Sequence, residues 1–256
     1  MPRLQVSVQT NNTTLASLTG GIVGGRIDKT ARAISRAALA QGVICNLDKP
    51  EGWTSFDVVN KLRGASRVKK VGHAGTLDPF ATGVLLICFA SATKQVESLM
   101  TLEKEYEGTF VLGVDTDSHD LTGKIVAQRE VPSLSHAQIA AALQKYVGEI
   151  MQTPPMYSAL KKEGRRLYDL ARAGETVEVE PRPVTIYKIE LLNMQLPEIA
   201  LRLVCSRGTY VRALARDLGN DLGCGAYLKT LRRTRIGSYR SEDSLSVTQF
   251  IASLTD

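Results

Sequence analysis

The chain of 256 residues predicts an α+β fold around a mixed, largely antiparallel sheet flanked by helices. Three observations predict it. Segments with period-two alternation of apolar residues dominate the chain, as at Tyr106, Phe110, Leu112 and Val114 and again at Ile199, Leu201, Leu203 and Cys205. Capped amphipathic helices fall between these segments at irregular intervals, without the regular strand–helix alternation of a parallel sheet. The longest apolar run, residues 83–90, fits a buried strand and is far short of the ~20 residues a membrane-crossing helix needs.

Taken in order, residues 1–42 form a basic, flexible N-terminal arm. They are rich in Thr, Asn, Gly, Ala and Arg, contain no aromatic residue, and carry Arg3, Arg26, Lys29, Arg32 and Arg36 against Asp28 alone. An Arg-rich, acid-poor start also fits an organelle transit segment. GGIVGG at 20–25 lacks the spacing of a phosphate-binding fingerprint. The compact domain, 43–256, opens with a strand in GVICNLDKP that stops at Pro50. Thr54 and Asp57 form a capping box ahead of a helix carrying Phe56, Val59 and Leu62. Residues 84–90 are the buried strand, and Val96, Leu99 and Met100 mark a helix. Residues 106–114 form a strand. Ser135 with Gln138 caps a helix that carries Ile139, Leu143 and Tyr146 and stops at Gly148. Residues 153–182 are basic, interrupted by Pro154, Pro155, Gly164 and Pro181, and leave the core as an excursion. Strands return at 184–192 and 199–205. Leu214, Leu218 and Leu222 give the next helix its apolar stripe, and a last helix, 247–254, starts from Ser246 with Gln249.

The net charge of +6 is unevenly spread. Lys61, Arg63, Arg67, Lys69 and Lys70 form one cluster without an acid, and Lys229, Arg232, Arg233, Arg235 and Arg240 a second. Such clusters fit a phosphate footprint or a solvated face. The four cysteines, 45, 88, 205 and 224, contain no CxxC pair, so buried reduced thiols in a cell interior are expected rather than a disulfide frame or zinc ribbon. Pro79 holds Asp78 out of helical geometry, on an extended loop before the buried strand. There a carboxylate serves either as a covalent nucleophile or as an Asx-turn residue. DTDSHD at 115–120 gathers Asp115, Asp117, His119 and Asp120 but puts Asp120 where an EF-hand needs Gly.

GHAGTLDPFATGVL, residues 72–85, closely resembles the signature loop of the TruB family of tRNA pseudouridine synthases. Further similar segments follow in the family's order: NLDKPEGWTS at 46–55, KEYEGTFVLGVDTDSHDLTG at 104–123, PPMYSALKKEGRRLYDLARAG at 154–174 and SRGTYVRALARDLGNDLGCGAYLKTLRRTRIGSY at 206–239. The resemblance spans roughly 43–250. It implies a pseudouridine-synthase-like sheet, a catalytic domain at 43–256 and an RNA-gripping insertion at 153–182. The implied reaction isomerises uridine in the T loop of tRNA, at position 55, by an aspartate nucleophile acting on a flipped nucleotide, without cofactor or metal.

The aspartate's role falls on Asp78. The resemblance places the Tyr106 ring against the target base and His73 against bases near the flipped nucleotide, helping to hold it out. Tyr210 borders the pocket and Leu231 forms its apolar wall. Tyr210 and Arg212 lie two apart and share one side of an extended backbone. Arg212 is the cation expected to pair with Asp78 and keep it ionised. Phosphate contacts are expected from Lys69, Lys70, Arg232 and Arg233, and from Lys161 and Arg165 in the excursion. The expected partner is the tRNA T arm, with no membrane and no metal, for a monomer in the cytoplasm or an organelle. The chain ends about 17 residues after Tyr239, too few for the PUA-type RNA-binding domain that many bacterial members carry. Two other classes compete: a catalytically idle RNA-binding factor, opposed by intact Asp78, Tyr106 and Arg212, and a metal-dependent hydrolase on 115–120, which lacks ligand spacing.

Overall fold

The computed structural model describes residues 25–158, 160–162, 164–173, 175 and 177–256. Its strands include β1 (Arg26–Ile27), β2 (Ile44–Lys49), β3 (Val71–His73), β4 (Thr82–Phe89), β5 (Lys104–Leu112), β6 (Val114–Thr116), β7 (Ile125–Gln128), β8 (Gly148–Gln152), β9 (Arg182–Gln195), β10 (Glu198–Cys205) and β11 (Ala226–Ile236). The helices are α1 (Arg36–Gln41), α2 (Ser55–Ser66), α3 (Val96–Thr101), α4 (His136–Gln144), α5 (Leu167–Arg172), α6 (Val211–Asp221) and α7 (Val247–Ala252). One large sheet runs in the order β1-β2-β4-β11-β5-β10-β9-β8, with β3 also on β4. Its pairs are antiparallel except β1 on β2 and β11 on β4, and a short strand, Leu245–Ser246, also runs parallel to β2. β6 and β7 form a separate hairpin.

The helices start where local hydrogen bonding dictates. Thr54 with Asp57, Ser135 with Gln138 and Ser246 with Gln249 all close as reciprocal capping boxes. β4 is apolar from Val84 to Phe89 because both of its faces are covered there. Leu85, Ile87 and Phe89 join a cluster with Leu47, Val59, Leu62 and Phe250, while Val84, Leu86 and Cys88 face Ile44, Leu99 and Ile236. On the other half of the sheet, Phe110, Leu201 and Leu203 pack beneath Ile139 and Leu143 of α4 and Leu214 and Leu218 of α6.

The N-terminal boundary differs from the sequence expectation. Residues 25–42 belong to the domain, not to an arm. Ile27, Ile34 and Leu39 are fully buried, β1 pairs with β2, and Ile34–Ser35 pairs with Leu254–Thr255. Three apolar side chains filling one core cluster outweigh the polar composition around them. Residues 1–24 of the expected arm lie outside the described residues. The four cysteines are buried thiols, as expected. No described helix is long and apolar enough to cross a membrane.

Gly83 fixes how closely β4 and β11 approach. Its φ is +102°, and a Cβ there would lie 2.2 Å from the Arg233 carbonyl oxygen. Gly83→Ala is expected to destabilise the fold by about 2–4 kcal/mol, read as a lower urea midpoint at unchanged slope.

Candidate active site

Asp78 sits on the loop between β3 and β4, and that loop is held by its own backbone. Each carbonyl from Gly75 to Pro79 accepts a hydrogen bond. Arg233 donates to Gly75 at 3.1 Å and to Thr76 at 3.5 Å, Ser55 Oγ to Leu77 at 3.3 Å, and Ala81 N–H to Asp78 at 3.1 Å. Pro79 receives the Gly52 N–H at 2.9 Å and Lys49 Nζ at 3.1 Å. Ser55 Oγ also accepts the Leu77 N–H at 2.9 Å, which ties the loop to the first turn of α2. A backbone satisfied at every acceptor has little freedom to move.

Two buried cations do much of this holding. Lys49 is fully buried, and its Nζ also donates to the Pro50 and Trp53 carbonyls at 2.8 and 2.6 Å. Burial lowers its pKa to about 8, against the pull of the nearby Asp78 charge. Arg233 is 1% exposed, and its Nε donates to the Val84 carbonyl at 2.7 Å. This corrects the expected phosphate role of Arg233. Its guanidinium faces the protein interior, because its side of β11 meets the Asp78 loop rather than solvent. Sequence reasoning missed Lys49 altogether; its place just before Pro50 in a buried strand was the available signal.

The Asp78 carboxylate meets Arg212. Arg212 Nη2 donates to Asp78 Oδ1 at 2.9 Å, and Nε lies 2.9 Å from Oδ2 without hydrogen-bond alignment. The same guanidinium donates through Nη2 to the Tyr157 carbonyl at 2.8 Å and through Nη1 to the Ser118 carbonyl at 3.2 Å. Nη1 also lies 3.4 Å from Asp120 Oδ2. Arg212 and Asp120 are both buried, whereas Asp78 keeps 33% of its side chain exposed. Burial raises the Asp78 pKa; Arg212 opposes that and the Asp120 charge adds to it. The site thus offers one accessible carboxylate backed by a buried cation and a second, inaccessible carboxylate.

Asp120 entered the sequence reading only as one of the 115–120 carboxylates, and its contact with Arg212 was missed. The 115–120 segment is a turn whose carboxylates go to separate partners: Asp115 to Arg129, Asp117 to the Lys124 N–H, and Asp120 to Thr122 and Arg212. Among the described residues no three His, Cys, Asp or Glu side chains converge on a possible metal site. Gln152, at the end of β8, was also missed. Its side-chain amide accepts the Tyr210 N–H at 2.8 Å and donates to the Tyr210 carbonyl at 3.1 Å, so it sets where α6 begins. Tyr210 is the N-cap of that helix and Arg212 lies in its first turn. The backbone is extended at Tyr210 but helical from Val211, so the two side chains do not share one side of a strand, and the helix start aims Arg212 at Asp78.

Tyr106 is buried on β5, opposite Arg233 on β11. Burial raises its pKa, and the Arg233 guanidinium opposes that. Burial keeps the pKa of Tyr210 above its ordinary value too. His73, on β3, has its pKa lowered by burial and then by Arg233, and its buried Nδ1 has no hydrogen-bond partner. It is a neutral ring at neutral pH. Leu231 lines a cavity of about 370 Å³ with Phe80 and Arg232. That cavity includes none of Asp78, Tyr106, Tyr210 and Arg212, so it is not the space in front of the carboxylate. Arg232 is half-exposed and forms a bidentate pair with Asp48 at 2.7 and 3.2 Å. Lys69 and Lys70 are exposed. Arg165 is exposed and pairs with Glu175 at 2.8 Å, whereas the Lys161 side chain lies outside the described residues.

Residues 63–211 match the family model "TruB family pseudouridylate synthase (N terminal domain)", and residues 212–255 match "tRNA pseudouridylate synthase B C-terminal domain". The chain belongs to the TruB family. It is 49% identical over 217 residues to the tRNA pseudouridine synthase B of Phocaeicola vulgatus, covering 82% of this chain and 92% of that protein. The Flavobacterium johnsoniae TruB relative is 44% identical over 221 residues, with coverage of 84% and 96%. Among solved structures, a chain in the crystal structure of a Cbf5-Nop10-Gar1 complex superposes with a TM-score of 0.66 at 29% identity. A second, in an H/ACA RNP bound to a substrate RNA containing 2'-deoxyuridine, gives 0.63 at 28%. Each alignment covers 84% of this chain and 54% of the other, so the chain spans about half the length of those structural neighbours. The fold is that of pseudouridine synthases, as the TruB-like motifs imply.

The Asp78–Arg212 geometry makes two variants informative. Arg212→Lys keeps a charge but loses the planar fork that reaches Asp78 and the Ser118 and Tyr157 carbonyls, so it should slow single-turnover conversion of saturating tRNA more than it weakens binding. Arg212→Ala should slow it further and cost about 3 kcal/mol of stability, since Asp120 loses its buried cation. Rapid-quench rates and chemical denaturation check both.

Proposed function

We propose that Asp78 is the nucleophile of this enzyme and that its target is a uridine in the T loop of tRNA, at position 55. The enzyme class itself follows from the family: the chain is an isomerase that converts uridine to pseudouridine in tRNA. The observation that carries the assignment of Asp78 is its place in the cluster. It is the one carboxylate on Arg212 with surface left to meet a nucleotide, while Asp120 is closed in.

The conversion exchanges a carbon–nitrogen bond for a carbon–carbon bond between the same two rings. N1 of uracil leaves the ribose carbon, the ring turns, C5 takes N1's place, and the C5 proton is lost as N1 gains one. Nothing is oxidised or reduced, and the atoms balance without a co-reactant. A carboxylate at the ribose or at the base can carry the intermediate. Asp78 must be ionised to do so, and Arg212 favours that form. The target base lies inside a folded loop and has to be turned out to reach Asp78. Tyr106 offers a ring for the displaced base, and neutral His73 packs against the bases left behind. Tyr210 borders the same space, and Leu231 lines the neighbouring cavity. Lys69, Lys70 and Arg232 lie at the surface for phosphates, with the excursion around Arg165 and Lys161 closing over the RNA of a monomer's single site. The neighbour at TM-score 0.63, described as bound to a substrate RNA, supports an RNA-facing cleft.

Asp78→Asn nearly preserves shape but removes the nucleophile. Turnover is expected to vanish while tRNA binding persists, measured by pseudouridine formation in the tRNA and by filter binding; substantial product from the purified variant would end the assignment.

The pH profile has a defined sign. Because burial raises the Asp78 pKa, the single-turnover rate should fall as pH drops through a value higher than that of a free aspartate, and the loss of Arg212 should move that acid limb higher still.

A further inference from the structure

α2 presents a face that the reaction above does not use. Phe56, Asn60, Arg63 and Arg67 follow at helical spacing along it. Phe56 is a large aromatic residue left 58% exposed, and the Arg63 guanidinium sits 6.0 Å from its ring centroid. Arg63 also donates to Asn60 Oδ1 at 2.8 Å and to the Val71 carbonyl at 3.4 Å, which joins this face to β3. β3 leads directly to His73 and the catalytic loop. The residue before Phe56, Ser55, is hydrogen-bonded to the backbone of Leu77, the residue before Asp78. Phe56 therefore stands beside the catalytic loop at one end of the face.

At the other end the chain turns through Arg67, in left-handed geometry, into exposed Lys69 and Lys70. These residues and α1 bound a groove of about 580 Å³. Arg36, Arg67, Lys69 and Lys70 rim it, and Ala37 and Ala40 leave its floor low. The charge here is not neutralised as it is elsewhere. Lys229 pairs with Glu198, Arg232 with Asp48, Arg235 with Glu103 and Arg202 with Glu107. Among the described residues, Lys61, Arg67, Lys69 and Lys70 have no carboxylate partner, and the one acid beside the groove is Asp256, on Arg36. A run of unpaired cations beside an exposed ring has the composition of a single-stranded nucleic-acid track.

We propose that this face is a second RNA-docking track, outside the uridine pocket, in which the Phe56 ring stacks an unpaired nucleobase of the bound tRNA and Arg67, Lys69 and Lys70 hold its phosphodiester backbone along the groove beside α1. The proposal rests on tRNA being the substrate. It adds a stacking residue and a direction of approach: the RNA leaves the catalytic loop along α2 towards α1. Phe56 acts on docking and not on the reacting atoms, so it is a positioning residue.

The test uses the full chain and unmodified tRNA, with dissociation constants measured by filter binding across a salt series and single-turnover rates at saturating tRNA. Phe56→Ala should weaken binding about tenfold with the salt slope unchanged, and Phe56→Trp should restore it, because stacking depends on the ring and not on charge. The triple variant Arg67→Gln, Lys69→Gln, Lys70→Gln should flatten the salt slope by about two units. In both variants the loss should fall on affinity more than on the single-turnover rate. Wild-type affinity in Phe56→Ala, or an unchanged slope in the triple variant, would overturn the track. So would unchanged tRNA binding by the triple variant combined with lost binding to phosphatidylserine vesicles, which would mark a lipid-facing surface. Wild-type protein assayed alongside keeps the two readings apart: pseudouridine formation by wild type with no effect of either variant sinks the track and the phosphate role of Lys69 and Lys70 but leaves the activity, whereas no conversion of tRNA by wild type sinks the activity.

Discussion

The catalytic arrangement depends on one guanidinium shared between two carboxylates. Arg212 has one positive charge to set against Asp78 and Asp120, and all three groups lie close together inside the fold. A buried carboxylate without a cation would take up a proton, and the nucleophilic role proposed for Asp78 needs the ionised form. The surrounding structure is arranged so that this charge arrives from the correct direction. Gln152 fixes Tyr210 at the start of α6, the 115–120 turn delivers Asp120, and the Tyr157 carbonyl brings the excursion against the same group. Displacing any one of these elements changes how the single charge is divided.

Cations also hold the loop that presents Asp78, but their partners are carbonyl oxygens and not carboxylates. Lys49 spends its three donors on Pro50, Trp53 and Pro79, and Arg233 spends its own on Gly75, Thr76 and Val84. Burying such groups costs desolvation energy, visible in the Lys49 pKa of about 8. What is obtained in return is rigidity at a loop that a carboxylate nucleophile requires. A carboxylate here would have neutralised each cation and left the loop carbonyls unsatisfied. This division separates the basic residues into three groups: those that hold backbone, those that are paired with acids on the sheet, and those of the α2 face that remain free for phosphate.

Much of the architecture was legible in the amino-acid sequence because it depends on neighbours within a few positions. The three capping boxes close between residues three apart, and the alternation along β5 and β10 reflects which side of one strand is covered. The apolar run of β4 announced burial on both faces. The TruB-like loop and its following segments brought Asp78, Tyr106 and Arg212 into view together. Less legible was residues 25–42, where Ile27, Ile34 and Leu39 are too sparse among polar residues to reveal a core segment.

The sequence by itself determined the family, the Asp78 loop and the identity of the cation that pairs with its carboxylate. Only the tertiary structure decided which charges face inward. Arg232 and Arg233 are neighbours, yet one pairs with Asp48 at the surface and the other is sealed beneath the catalytic loop. Adjacent residues of a strand point to opposite faces, but β11 shifts register twice, so the sequence pattern does not say which of the two is inside. Likewise, Asp120 looks like any turn carboxylate until α6 brings Arg212, 92 positions later, within 3.4 Å of it. A charge takes its meaning from partners far along the chain, and only packing brings those partners together.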